Sequence, residues 1–180
     1  MQVKRNQLIS YFLLVLAFVG FYQFKKTKWK KRLKSLRKRS DFEKRVDNYT
    51  STERSLLNEH LRKATIALKN EDNDLLTALA VNHYLYQLLE QRYNEGDGHK
   101  ILSDGYAICG GFAVTMAELL YSKGIKCKLA FLLGVPDQGA HSLVEVFFRN
   151  GSQGLFDPTY GTFWYDAKTK KPVSIIKLMA

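Results

Sequence analysis

The chain has 180 residues, enough for one domain with a real hydrophobic core and too few for two full ones. Its 46% hydrophobic and 25% charged residues exclude global disorder, which leaves the net charge of +11 as the unusual figure. Residues 1–45 hold 14 Lys and Arg against 2 acids and the remainder holds 14 against 15, so the excess belongs to an N-terminal segment, and a nucleic-acid-binding fold with a basic surface is not expected.

No charged residue occurs between Asn6 and Phe24. At 1.5 Å per helical residue these roughly 19 positions reach about 28 Å, close to the hydrocarbon thickness of a bilayer. Tyr11 and Tyr22 stand near the two ends, where a ring with a polar tip suits the headgroup level. Lys4 and Arg5 would serve as the leader of a signal peptide, but no small-x-small cleavage site follows the apolar run, so a retained anchor is the expectation.

The anchor is assigned to 1–24 and a basic juxtamembrane linker to 25–45, with membrane lipids expected as partners of residues 8–39. Each Lys or Arg near an anionic leaflet contributes on the order of 1 kcal/mol of attraction. Two basic residues precede the span and twelve lie in 25–45, a bias that favours a single-pass arrangement with the C-terminal domain on the cytoplasmic side. The exported orientation is the alternative, since a single span with a short basic leader can insert the other way. The two cysteines, Cys109 and Cys127, are compatible with either side, although a disulfide-held exported domain would normally show more.

The remaining domain is assigned to 46–180. Thr50 and Glu53 have capping-box spacing ahead of Leu57, Leu61, Ala64 and Leu68, which predicts a helix over 51–69. Asn73 and Asp74 cap a second helix carrying Leu75, Leu76, Leu79, Leu85, Leu88 and Leu89, ended by the Gly-containing run 94–98. A third is predicted over 109–122, where Phe112, Met116, Leu119 and Leu120 share a face and Gly124 stands at the cap.

Beyond Gly124 the period changes to that of strands: 126–133, 141–148 and a third around Leu155, Phe156 and Asp157, with Asn150-Gly151 as the turn between the last two. Phe163, Trp164 and Tyr165 are expected to pack a final hairpin turning near Lys170, Lys171 and Pro172. Helices followed by an antiparallel meander give an α+β class, with the helix that starts at Cys109 packed on the meander.

The chemistry concentrates in the second half. A thiolate at a helix N-terminus is stabilised by unpaired N–H groups, which points to Cys109 as a nucleophile. Gly110 and Gly111 would let a substrate backbone approach its sulfur. His141 on one strand and Asp157 on the next are brought together by the intervening turn, supplying a base and the group that fixes its tautomer.

The backbone N–H of Cys109 is a candidate oxyanion-hole donor, with Tyr106 or Ser103 as candidates to complete it. Strict alternation puts Glu145 on the face of His141. Cys127, between Lys126 and Lys128, reads as a core residue. His60 and His83 on helices and His99 in a loop have no ligand-spaced partners, so no metal and no cofactor is expected.

These motifs resemble the transglutaminase-like superfamily, a papain-related fold. Tyr106 to Ala113 is similar to its nucleophile motif, Ala117 to Cys127 to its helix-to-strand passage, Ala140 to Val146 to its histidine strand, and Phe156 to Thr159 to its aspartate motif. Leu143 stands where many members carry an aromatic residue, two places after the histidine. The resemblance implies a Cys109-His141-Asp157 triad acting on amide or peptide bonds of a protein or peptide substrate through a thioester, with hydrolysis expected over transamidation. The alternatives are a membrane-tethered scaffold that keeps the fold without turnover, and an electrostatic membrane organiser whose active part is 25–39.

Overall fold

Residues 42–68, 72–133 and 140–178 are described by a computed structural model. The expected anchor over 1–24 and the linker as far as residue 41 lie outside the described residues; among those residues no helix is long and apolar enough to cross a membrane.

Six helices and six strands occur in the described residues, and their class is α+β. Helix α1 (Phe42–Asp47) buries Phe42 and Val46. The Phe42 ring meets Tyr121 edge to face at 6.2 Å. The composition break at residue 45 therefore falls inside an element whose apolar side belongs to the domain core.

Helix α2 (Ser51–Thr65) starts with the predicted capping box. The Glu53 amide donates to Thr50 Oγ1 at 3.3 Å and the Thr50 amide to Glu53 Oε2 at 2.7 Å, which satisfies two of the orphan donors of the first turn. It stops short of 69, and Ile66, just past its end, is exposed. Helix α3 (Asp74–Leu88) is capped by Asn73, whose Oδ1 accepts from the Leu76 amide at 3.1 Å.

Its end differs from expectation. Leu89 turns extended, and the next two residues form β1 (Glu90–Gln91), paired in parallel with β2 (Tyr106–Ala107). Tertiary pairing overrides the local helix preference of this Leu-rich stretch.

Between β1 and β2 lies α4 (Gly98–Asp104), which puts His99 on a helix and not in a loop. Its C-terminal turn closes with the Gly105 amide on the Ile101 carbonyl at 2.9 Å. Helix α5 (Cys109–Ser122) runs over the predicted residues and ends with the Gly124 amide on Tyr121 O and the Ile125 amide on Leu120 O, at 2.8 and 3.0 Å.

The strands β3 (Lys126–Leu133), β4 (Ala140–Phe147), β5 (Gln153–Asp157) and β6 (Thr162–Phe163) form one antiparallel sheet in that order. The register pairs Leu129 with Val144, Val144 with Phe156, and Phe156 with Phe163. The final hairpin forms as an isolated bridge between Tyr165 and Pro172, closed by the Lys170 amide on Asp166 O at 2.8 Å.

Helix α5 lies at the centre of the core. Phe112, Met116, Leu119 and Leu120 on the helix and Cys127, Val144, Val146 and Phe156 on the sheet share one buried cluster with residues of α1 to α4. The opposite face of the sheet holds a second, smaller cluster of Ala130, Leu143 and Leu155, covered by Trp164 and Ile175 of the C-terminal segment and the short helix α6 (Ile175–Leu178). Both faces of β4 are thus buried, which fixes its register, because a one-residue slip would exchange the two sets.

Candidate active site

The N-terminus of α5 is left open. Its cap residue Ile108 is extended and has no side chain able to accept, so the first-turn amides after it have no intrahelical carbonyl and, among the described residues, no side-chain cap. Cys109 occupies the first helical position, half-buried, beside those donors. Such amides favour a thiolate or an oxyanion in front of them.

The two glycines after the cysteine differ in role. A Cβ on Gly111 would meet Ala107 Cβ at 2.7 Å and Ile101 Cδ1 at 2.9 Å, so its bareness serves packing. Among the described residues a Cβ on Gly110 would meet only Ser142 Oγ, at 3.8 Å, an ordinary contact distance. Of the pair, Gly110 alone leaves space in front of the sheet.

At the start of β4, His141 Nε2 and Asp157 Oδ2 are 2.6 Å apart. Continuing the β4–β5 register by one residue puts Asp157 across from Leu143, so His141 reaches it diagonally on the same face of the sheet. The Asp157 side chain is 4% exposed against 28% for His141. Its second oxygen, Oδ1, accepts from the Thr159 amide at 3.1 Å. A carboxylate only accepts, so the imidazole presents Nε2–H to Asp157, and its other nitrogen, Nδ1, has no hydrogen-bond partner among the described residues.

The sulfur of Cys109 is 3.8 Å from the carbonyl oxygen of Ala140, the residue directly before His141. The structure therefore joins His141 to Asp157 directly and places Cys109 against the peptide that leads into His141. Among the described residues no hydrogen bond links the sulfur to the imidazole itself.

Other residues singled out by the sequence find different places. The Tyr106 ring lies beneath the Arg92 guanidinium, 4.6 Å from its centroid, and Ser103 is exposed on α4; neither hydrogen-bonds Cys109 among the described residues. Glu145 shares the face of His141 but caps α6, accepting from the Ile175 amide at 3.1 Å. Leu143 is fully buried in the smaller cluster. Cys127 is buried, and burial pushes its thiol well above the ordinary range.

His60 is less exposed than an ordinary polar residue. It is buried with Nδ1 2.7 Å from Tyr84 Oη, and burial lowers its pKa. His99 stands 3.2 Å from Glu53. No group of three or more His, Cys, Asp or Glu among the described residues could hold a metal ion.

Asn94 is a residue the sequence reading passed over as part of a chain break. Its Nδ2 donates to Tyr106 O at 3.2 Å and to Asp104 Oδ2 at 3.1 Å, and its carbonyl accepts from the Ile108 amide at 3.4 Å. It ties down the strand that delivers Cys109. An Asn between an apolar helix and a Gly-containing run was the available signal, because its side-chain amide can donate to neighbouring carbonyls at such a junction while its backbone carbonyl accepts.

Glu118 was passed over as well. It lies nine residues beyond Cys109 on α5 with a side chain of 0% exposure, and its Oε2 accepts from Tyr49 Oη at 2.9 Å and the Gly98 amide at 2.8 Å. Arg45 Nη2 approaches its other oxygen at 3.4 Å, and Arg45 Nη1 holds Asp97 at 2.7 Å. Burial pushes the Glu118 carboxyl up to about 7 against the pull of Tyr49 and Arg45, and burial with the adjacent carboxylate raises the Tyr49 phenol.

No protein-family model matches the chain, and no curated protein matches it. Solved structures with similar coordinates are a candidate cysteine protease from Cytophaga hutchinsonii, at 15% identity and TM-score 0.46, and LapG from Legionella pneumophila, at 12% identity and TM-score 0.48. The first match covers 63% of this chain and 44% of the Cytophaga protein; the second covers 72% and 77%. The chain thus spans less than half the length of the Cytophaga protein.

Proposed function

We propose that this chain is a thiol-dependent enzyme of the transglutaminase-like kind, which cleaves an amide or peptide bond through a thioester on Cys109. The observation that carries the reading is the 2.6 Å contact between His141 and the buried Asp157, set at the peptide against which the Cys109 sulfur lies. The reading requires the sulfur to exchange Ala140 O for Nδ1 of His141, whose side chain shares the sheet face of Leu143 and Leu155 and not the face on α5, so the start of β4 must turn as well. Catalytic hydrogen bonds often tighten in this way when substrate binds.

In the proposed sequence Nδ1 of His141 takes the Sγ proton as the sulfur bonds to the substrate carbonyl carbon. The resulting oxyanion is held by the first-turn amides of α5. Collapse breaks the C–N bond, and the leaving amine takes the proton from Nδ1. Water then attacks the thioester, giving a proton to Nδ1; the C–S bond breaks, the acid departs, and the proton returns to sulfur. Asp157 keeps Nε2–H in place and steadies the imidazolium throughout.

The anchor over 1–24 and the basic segment over 25–45 belong to the same proposal, and their length, apolar composition and charge support it. They would hold a protease or amidase at the membrane with its domain on the cytoplasmic side. The test of the catalytic claim is reaction of the native protein with iodoacetamide, followed by peptide mass spectrometry. Labelling of Cys109 at neutral pH that falls at least tenfold in Asp157→Asn supports the enzyme. Labelling at the rate of a small free thiol, indifferent to that substitution, favours a scaffold.

A further inference from the structure

The imidazole of His141 is held at one nitrogen by Asp157, but one hydrogen bond does not fix the plane of a ring that is partly open to water. A second contact is present. The ring of Tyr160 lies 5.5 Å from that of His141, centroid to centroid, with 38° between their planes. This is within the range of an attractive aromatic pair.

The turn that carries Tyr160 is tied on both sides. Before it, the Thr159 amide is bound to Asp157 Oδ1. After it, Gly161 has φ +64, and a Cβ there would stand 2.8 Å from Tyr86 Cγ on α3, so the position excludes a side chain both by conformation and by space. One residue further, Asn82 of α3 donates to the Thr162 carbonyl at 3.2 Å. Tyr160 is thus 57% exposed and yet anchored by its neighbours, an arrangement that core packing does not require.

We infer that Tyr160 is a positioning residue: its ring lies on the imidazole of His141, sets the plane in which Nδ1 is presented, and keeps water from the Nε2–H bond to Asp157. The inference deepens the enzyme reading and rests on it for its purpose.

The test uses the full chain and the variants Tyr160→Leu and Tyr160→Phe, with unfolding temperature as a control. Proton NMR follows the His141 Nε2–H signal and its exchange with water. The expected result is faster exchange in Tyr160→Leu, by about 3- to 10-fold, with loss of the ring-current shift on the His141 carbon-bound protons and return of both to wild-type values in Tyr160→Phe. Cys109 alkylation should slow by a similar factor in the Leu variant and recover in the Phe variant. Equal exchange rates in wild type and Tyr160→Leu would overturn the inference. The exchange readout does not involve Cys109, so a nucleophile that ignores His141 would sink the enzyme reading separately.

Discussion

One helix carries two polar sites of opposite design. At its first residue Cys109 faces amides with no intrahelical partner and a sulfur contact of 3.8 Å; nine residues on, Glu118 is sealed from water and bonded by a phenol and a backbone amide, with a guanidinium alongside. The first leaves hydrogen-bonding capacity unspent at a surface, where a ligand can use it. The second spends Oε2 on donors inside the protein, keeps Oε1 buried with only the Arg45 guanidinium at 3.4 Å, and joins α1, α4 and α5. Polar groups at a candidate site and polar groups that hold the fold are told apart here by whether they lie open to a ligand or closed inside the protein.

Substitutions can separate the two designs, beginning with the largest effect. Cys109→Ala should abolish iodoacetamide labelling of the native protein and lower any amide turnover by about 10⁴-fold or more, while the unfolding temperature stays near wild type. Buried Cys127 should react only after denaturation, as peptide mapping would show.

Asp157→Asn keeps the shape but lets the imidazole take the wrong tautomer. Turnover should fall by roughly 10³- to 10⁴-fold with little change in KM, measured on any peptide the wild type cleaves. A stability loss without a loss of rate would place Asp157 with Glu118 as a structural group.

Glu118→Leu should do the reverse. It strips Arg45 of one carboxylate and leaves the Tyr49 hydroxyl and the Gly98 amide without an acceptor, a change expected to cost about 3–5 kcal/mol by urea unfolding. Cys109 labelling in the folded fraction should persist.

The smallest effect is a slope. Folded Glu118 keeps its proton up to about 7 whereas the reference value is 4.5, so between these values the folded chain binds more protons than the unfolded one. Its contribution to stability therefore falls as pH rises through that window. Glu118→Gln, which cannot titrate, should remove this decline, so wild type loses ground to the variant from about pH 4.5 to 7. A constant difference between the two across that range would mean that Glu118 is ionised in both states.

The long elements were legible because their periods are strong. The helix over 109–122, the capping box at Thr50 and the meander with its turn at Asn150-Gly151 all follow from local pattern. The two-residue strands Glu90–Gln91 and Tyr106–Ala107 are too short to show a period, and their parallel pairing joins residues far apart in sequence. The helix Gly98–Asp104 was hidden by the poor propensity of its first residue, although Asp97 before it and Gly105 after it bracket it.

The candidate site divides in the same way. The contact of His141 with Asp157 was readable from residue type and the strands they sit on, and the place of Cys109 from the helix it opens. The partners that orient them were not. Asn94 acts through backbone contacts to Tyr106 and Ile108, and Tyr160 acts through a ring contact set by a turn locked from α3. Neither dependence leaves a periodic trace in a single sequence.

Catalysis at this site depends on the sulfur of Cys109 working with the imidazole of His141. The most direct measurement is the rate of Cys109 alkylation by iodoacetamide at pH 7 in wild type and in His141→Ala, read on the folded protein. A drop of at least tenfold in the variant is predicted. Equal rates would contradict it and leave His141 and Asp157 as a structural pair beside an unassisted thiol.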